Sequence, residues 1–265
     1  SKWGNKMKEL DREVWDPFDE GNRKRVEENF KRLAGRADDP LLIGYFIANE
    51  PLYENMPAKI PALDKSWACK RALVDMLKAK YRTIEAFREA WGLRDAVSFE
   101  ELEDRGIPVK TPAAAADMRD YMVLFHETML QLVHDHVRRN DPNHMILGTR
   151  LQRGTINNEA YCHVLAKYTD IVSFNYYTYG IDRSFLDKVQ GWLGGKPMIF
   201  SEFYWNSPSD SGLPGGVKDI GSQEERGLAY RHYVETAATL GYVVGVQWYT
   251  LLDTHYTGVG FAGYG

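Results

Sequence analysis

Two spacings of apolar residues alternate along this chain. Short, nearly continuous apolar runs occur at 41–48, 144–149, 170–176, 197–202 and 243–249, each with a Gly, Pro, Asn or Asp at or just before its start. Such runs predict strands buried on both faces of a parallel sheet. Between them lie longer stretches with apolar positions three and four apart. These predict helices near 22–34, 64–80, 83–91, 112–140, 157–167, 182–193 and 222–240. Val26, Phe30 and Leu33 share one face of the first helix. Thr111-Pro112 reads as the N-cap and first turn of the longest, whose stripe is Met118, Met122, Phe125, Met129, Leu132 and Val133. Strand and helix alternate with no hairpin signal, so the predicted class is α/β with a parallel sheet. Residues 1–19 read as polar and irregular. The stretch 51–110 reads as a long helical excursion after the first strand, of the kind that shapes a cleft.

Composition narrows the picture. With 265 residues and 44% apolar content, the chain suits one barrel-sized domain over 1–265. A net charge of −4 with both signs interspersed leaves no footprint for nucleic acid or an anionic membrane. No apolar run has the length of a membrane span. Ser1-Lys2-Trp3-Gly4 lacks the apolar core of a signal peptide, and the sequence assigns no compartment. Cys69 and Cys162 are isolated, which predicts buried free thiols, with a single bridge between them the alternative, and no thiolate metal site. In His134-Asp135-His136 the imidazoles are two apart on a helix, whereas helical zinc sites use i, i+4. That triplet reads as a solvated or pairing cluster, and no metal is expected. No glycine-rich phosphate loop follows a strand, so no nucleotide or other cofactor is expected. The 7 Trp and 16 Tyr could serve a sugar site or simply fill a core.

The chemistry sits at two strand ends. Residues 47–51 and 198–203 each run an apolar stretch into a glutamate, Glu50 and Glu202. The carboxyl ends of parallel strands are where open α/β sheets and barrels place active sites. Two carboxylates there are the equipment of glycoside hydrolysis: one protonates the leaving oxygen, the other attacks the sugar carbon or activates water. Glu50 is the candidate general acid/base, which needs a raised pKa, and Glu202 the candidate nucleophile, which needs hydrogen-bond donors. Strand alternation puts Asn175 and Tyr177 on one face and Tyr176 on the other. Tyr177 is the expected donor to Glu202, with Tyr176 the alternative where the strand end bulges. Arg150 could bind a sugar hydroxyl or a carboxylate, or form a structural pair.

The ordered motifs Asn49-Glu50-Pro51, Phe174-Asn175-Tyr176-Tyr177, Ser201-Glu202-Phe203 and Val246-Gln247-Trp248-Tyr249 resemble the retaining glycosidases of clan A, most of all the β-galactosidase and β-agarase families. The resemblance implies a (β/α)8 TIM-type barrel, present here as about five parallel strands, the fourth to the eighth. It implies Glu50 as acid/base, Glu202 as nucleophile, Asn49 as a donor to the sugar 2-hydroxyl and Trp248 as a platform for a sugar face. The clan's second-strand arginine falls outside this chain. The expected function is a retaining β-glycosidase acting by double displacement on galactose-containing or related oligo- and polysaccharides. Its carboxyl groups would then lie about 5–5.5 Å apart. The alternative is a truncated, catalytically inactive barrel that binds carbohydrate or only folds. Five strands cannot close a barrel, so the strands at 41–48 and 243–249 should each leave an edge through which copies of the chain associate.

Overall fold

The computed structural model describes residues 7–212 and 215–250. The chain divides into two compact units, one of Ser1–Gly44 with Pro51–His144, the other of Tyr45–Glu50 with Met145–Gly265.

In the first unit, strands β1 (Glu9–Asp11) and β2 (Val14–Trp15) pair antiparallel, an element at odds with the irregular start read from sequence. Leu10, Val14 and Trp15 are buried, so three apolar side chains suffice to fix the pair. Its turn carries Glu13 at φ 58°, where glycine or asparagine would have announced a hairpin. Helix α1 (Glu20–Phe30) is capped by Asp19, whose carboxylate accepts from the Asn22 amide, and buries Asn22, Val26 and Phe30. The excursion holds α2 (Met56–Lys59), α3 (Ala68–Tyr81), α4 (Ile84–Trp91) and α5 (Phe99–Asp104). Helix α5 has only Phe99 and Leu102 buried among acidic residues, too short a stripe to show as a period. Helix α6 (Pro112–Asn140) starts at the Thr111 cap, whose hydroxyl accepts from the Ala114 amide and donates to the Ala90 carbonyl. Thr111→Ala is expected to cost about 0.5–2 kcal/mol in urea unfolding, the usual worth of such a cap.

Two buried polar groups tie the helices of this unit. Asp117 of α6 accepts from the Tyr81 hydroxyl and the Trp91 indole, each at 2.7 Å, and pairs with Lys80. The fully buried Lys70 donates to the carbonyls of Pro61 and Arg105, and burial lowers its ammonium to about 8. His134 pairs with Asp135 at 3.1 Å. Among the described residues no cluster of His, Cys, Asp and Glu could hold a metal, and no helix is long and apolar enough to cross a membrane.

In the second unit, residues 45–50 run beside 145–150. Leu147 donates to the Tyr45 carbonyl, Ile47 to that of Gly148 and Glu50 to that of Arg150, at 2.9–3.1 Å. The regular parts of this pair are β3 (Gly44–Tyr45) and β4 (Met145–Ile146), shorter than predicted, and Leu41 and Ile43 are exposed. Then β5 (Leu151–Gln152), β6 (Val172–Asn175), β7 (Met198–Phe203) and β8 (Val243–Trp248) form a four-stranded parallel sheet in that order. Short helices α7 (Arg153–Ile156) and α10 (Pro208–Ser211) and longer ones α8 (Glu159–Tyr168), α9 (Arg183–Trp192) and α11 (Gln223–Ala238) lie between the strands in sequence. Tyr176, Phe200 and Phe203 pack on Tyr233 of α11, and Phe174 packs on Phe200; the Phe203 and Tyr233 rings stack at 4.3 Å. A bulge shifts the β6–β7 register after Phe174, which pairs with Phe200, so that Asn175 lies opposite Glu202. Cys69 and Cys162 are free and buried, and burial pushes the Cys162 thiol up to about 12.

Candidate active site

Two strand ends in the second unit leave the usual backbone region together. Glu50 has φ 50° and Arg150 φ 45°, and the Glu50 amide donates to the Arg150 carbonyl at 3.1 Å. Left-handed geometry at a non-glycine residue costs on the order of 1–3 kcal/mol and gathers at functional sites. The turn-outs aim both side chains off the strand line. Glu50 accepts from Asn175 Nδ2 on one oxygen at 2.9 Å and from Gln152 Nε2 on the other at 3.2 Å.

Asn175 joins this carboxylate to the next strand. Its Oδ1 accepts from the Ser201 hydroxyl at 2.8 Å, which fixes the orientation of the amide. The neighbouring Glu202 is 7% exposed. Its Oε2 accepts from the Tyr177 hydroxyl at 2.5 Å, and its Oε1 from Arg150 Nη2, which also donates to the Ser201 carbonyl at 3.1 Å. Burial pushes the Glu202 carboxyl above its ordinary value. The Tyr177 hydrogen bond and the Arg150 charge oppose that rise, and the Glu50 charge adds to it. Burial, then Glu202 itself, holds the Tyr177 phenol far above its ordinary value, so it remains a donor. Tyr204 packs edge-on against the Tyr177 ring at 5.0 Å.

Glu50, Arg150, Asn175, Tyr177 and Glu202, all read from sequence, therefore meet in one hydrogen-bonded group. Tyr176 is wholly buried on the other face, where its hydroxyl accepts from the Asp182 amide. Asn49 is half-buried, and its Oδ1 is buried with no hydrogen-bond partner among the described residues. Trp248 is set apart: its half-buried indole lies against Phe203, Trp205 and Tyr230 and donates to the Thr250 carbonyl. Sequence reading missed Gln152 and Ser201. Ser201 stands directly before Glu202 in a motif read from sequence, whereas Gln152 lies two residues past Arg150, beyond the predicted strand end.

A carboxylate held by neutral amides beside one held by a guanidinium and a phenol can divide acid/base and nucleophilic work. The model of a glycoside hydrolase family described as β-galactosidase, family 42, matches residues 2–193. β-Agarase B of Vibrio sp. (strain JT0107) is 28% identical over 265 residues, covering 92% of this chain and 27% of that protein. Among solved structures, an exo-β-agarase superposes with a TM-score of 0.83 at 26% identity, over 95% of this chain and 36% of that one. A β-galactosidase from the psychrophilic Marinomonas ef1 shares the fold, with a TM-score of 0.60 at 15% identity, over 91% of this chain and 39% of that one. These structural neighbours are TIM-barrel glycoside hydrolases, and the chain spans well under half the length of each of these three proteins. The chain belongs to glycoside hydrolase family 42, the β-galactosidase family, within clan A.

Proposed function

We propose that this chain carries the catalytic pair of a retaining β-glycosidase acting on galactose-containing or related oligo- and polysaccharides. The carrying observation is Asn175, whose one amide donates to Glu50 and accepts from the serine that precedes Glu202. In the first displacement a Glu202 oxygen bonds to the anomeric carbon as the glycosidic bond breaks, and Glu50 gives its proton to the leaving oxygen. In the second, Glu50 takes a proton from water, the water oxygen bonds to the anomeric carbon, and Glu202 leaves as carboxylate. Arg150 and Tyr177 both favour the charged form of Glu202. Asn49 has its buried Oδ1 unsatisfied among the described residues, an acceptor suited to a sugar hydroxyl in place of the donor role that the resemblance implied. Trp248 keeps part of its indole exposed for a sugar face. The galactose preference follows the names of the relatives.

A panel of aryl β-glycosides tests this reading, with Glu202→Gln as control. Hydrolysis led by the β-galactoside, and absent from the control, is the expected result. A folded chain that hydrolyses none of the panel would favour the second reading, a catalytically inactive module that binds carbohydrate or only folds.

The sheet also carries the proposal of a partial barrel that pairs with a second copy. Among the described residues β8 pairs with β7 alone, and Val244 on it is 58% exposed beside an apolar groove lined by Val234, Ala238 and Val246. An exposed apolar edge strand templates association. Light scattering at low micromolar concentration should find a dimer or larger species, reduced to monomer by Val244→Lys. A monomeric parent chain would overturn the association.

A further inference from the structure

We propose that Arg150 is the positioning residue of the carboxylate pair: its guanidinium holds Glu202 while its backbone carbonyl holds the strand end that carries Glu50. The proposal deepens the glycosidase reading and rests on it for the roles of the two glutamates.

From sequence, Arg150 could bind a sugar hydroxyl or a carboxylate, or form a structural pair. In the structure its Nη2 is already committed to Glu202 Oε1 and to the Ser201 carbonyl. One nitrogen thus grips both the side chain and the backbone of the β7 end, which fixes where the carboxylate points. The guanidinium carbon lies 5.4 Å from the Phe46 ring centre, a face that favours a cation and keeps water off one side. An exposed ion pair would contribute little. Here the carboxylate is buried, so removing its cation leaves an uncompensated charge.

The backbone geometry of Arg150 is set two residues earlier. Gly148 has φ 85°, and a Cβ there would lie 3.1 Å from the Ser173 amide nitrogen and 3.2 Å from its hydroxyl. Only glycine lets the chain pass that close to β6. The close pass lets the Arg150 amide donate to Ser173 Oγ at 2.9 Å. Anchored in this way, the left-handed Arg150 presents its carbonyl to the Glu50 amide. One residue therefore holds both strand ends, the Glu202 carboxylate through its side chain and the Glu50 backbone through its carbonyl. Tyr177 and Asn175 from the β6 end, Glu50 and Arg150 are the groups that act on Glu202, and Arg150 supplies the positive charge among them. Without it, burial and the Glu50 charge both drive Glu202 toward its neutral form.

The test needs no substrate. The titration of isotope-labelled glutamate carboxyls is followed by NMR, with Glu202 assigned by Glu202→Gln. Arg150→Met is expected to move the Glu202 midpoint up by about one to three pH units, the usual influence of an adjacent arginine. Arg150→Lys should recover part of the difference. Ser173→Ala, which removes only the anchor of the Arg150 amide, should move the midpoint the same way by less, and it decides the matter if Arg150→Met does not fold. An unmoved Glu202 midpoint in the folded variants would overturn the proposal, even in a chain that cleaves aryl glycosides. A moved midpoint in a chain that cleaves none would leave the hold of Arg150 on Glu202 standing and remove the glycosidase reading instead.

Discussion

Glu202→Ala is expected to lower turnover of aryl β-glycosides by on the order of 10⁴-fold or more, the scale of removing one member of a catalytic unit. Azide is expected to restore turnover and to yield the α-glycosyl azide. The reason is stereochemical. Glu202 would approach the anomeric carbon from the face opposite the β-linked leaving group. Azide in the space it vacates attacks from that same face and inverts the centre. Glu50→Ala should behave differently. There the glycosyl-enzyme still forms from substrates whose leaving group needs no proton, such as dinitrophenyl glycosides. Azide then intercepts it from the other face, giving the β-glycosyl azide. The two products assign the two carboxylates independently of rate. A β-azide from Glu202→Ala, or an α-azide from Glu50→Ala, would exchange or remove the proposed roles.

How far this site could be read without coordinates depends on which forces place each residue. Glu50, Asn175, Tyr177 and Glu202 were legible because parallel strands are apolar until their carboxyl ends, where polarity is tolerated. Strand alternation alone put Tyr177 and Asn175 on one face, and both now touch a carboxylate. Gln152 was not legible. The predicted strand stopped near Arg150, whereas the chain turns at Gly148 and Arg150 and extends again to pair with β6. Positive φ at an arginine has no compositional signature. The placing of Glu202 opposite Asn175 was hidden for a related reason: the β6–β7 bulge decides which β7 residue faces Asn175, and a bulge shifts register without changing composition. Helix α6 was read closely because cap, proline and stripe agree. The β1–β2 pair was missed because its turn residue, Glu13, belongs to no favoured turn sequence.

The fold should also be sensitive to acid through a residue that the proposed chemistry does not use. His126 of α6 is buried, with Tyr53 edge-on at 4.7 Å and Phe125 at 6.0 Å. Burial lowers its imidazole from 6.5 to about 3. The folded value lies below the unfolded one, so the sign is fixed. Above about pH 6.5 both states hold a neutral ring and stability is undiminished. As the pH falls below that point, the unfolded chain takes up a proton that the folded chain refuses. Stability then drops by about 1.4 kcal/mol per pH unit until the folded value near 3 is reached. By about pH 4.5 the loss from this one ring is roughly 2–3 kcal/mol, a large share of the 5–15 kcal/mol typical of a domain. Lowered carboxylates such as Glu100 and Asp95 add their own acid losses. Those losses are common to the parent chain and to His126→Leu, and they cancel between the two. Urea unfolding at about pH 7.5 and 4.5 should therefore show the parent chain losing roughly 2–3 kcal/mol more than His126→Leu. Equal losses in the two chains would mean that His126 accepts its proton without unfolding.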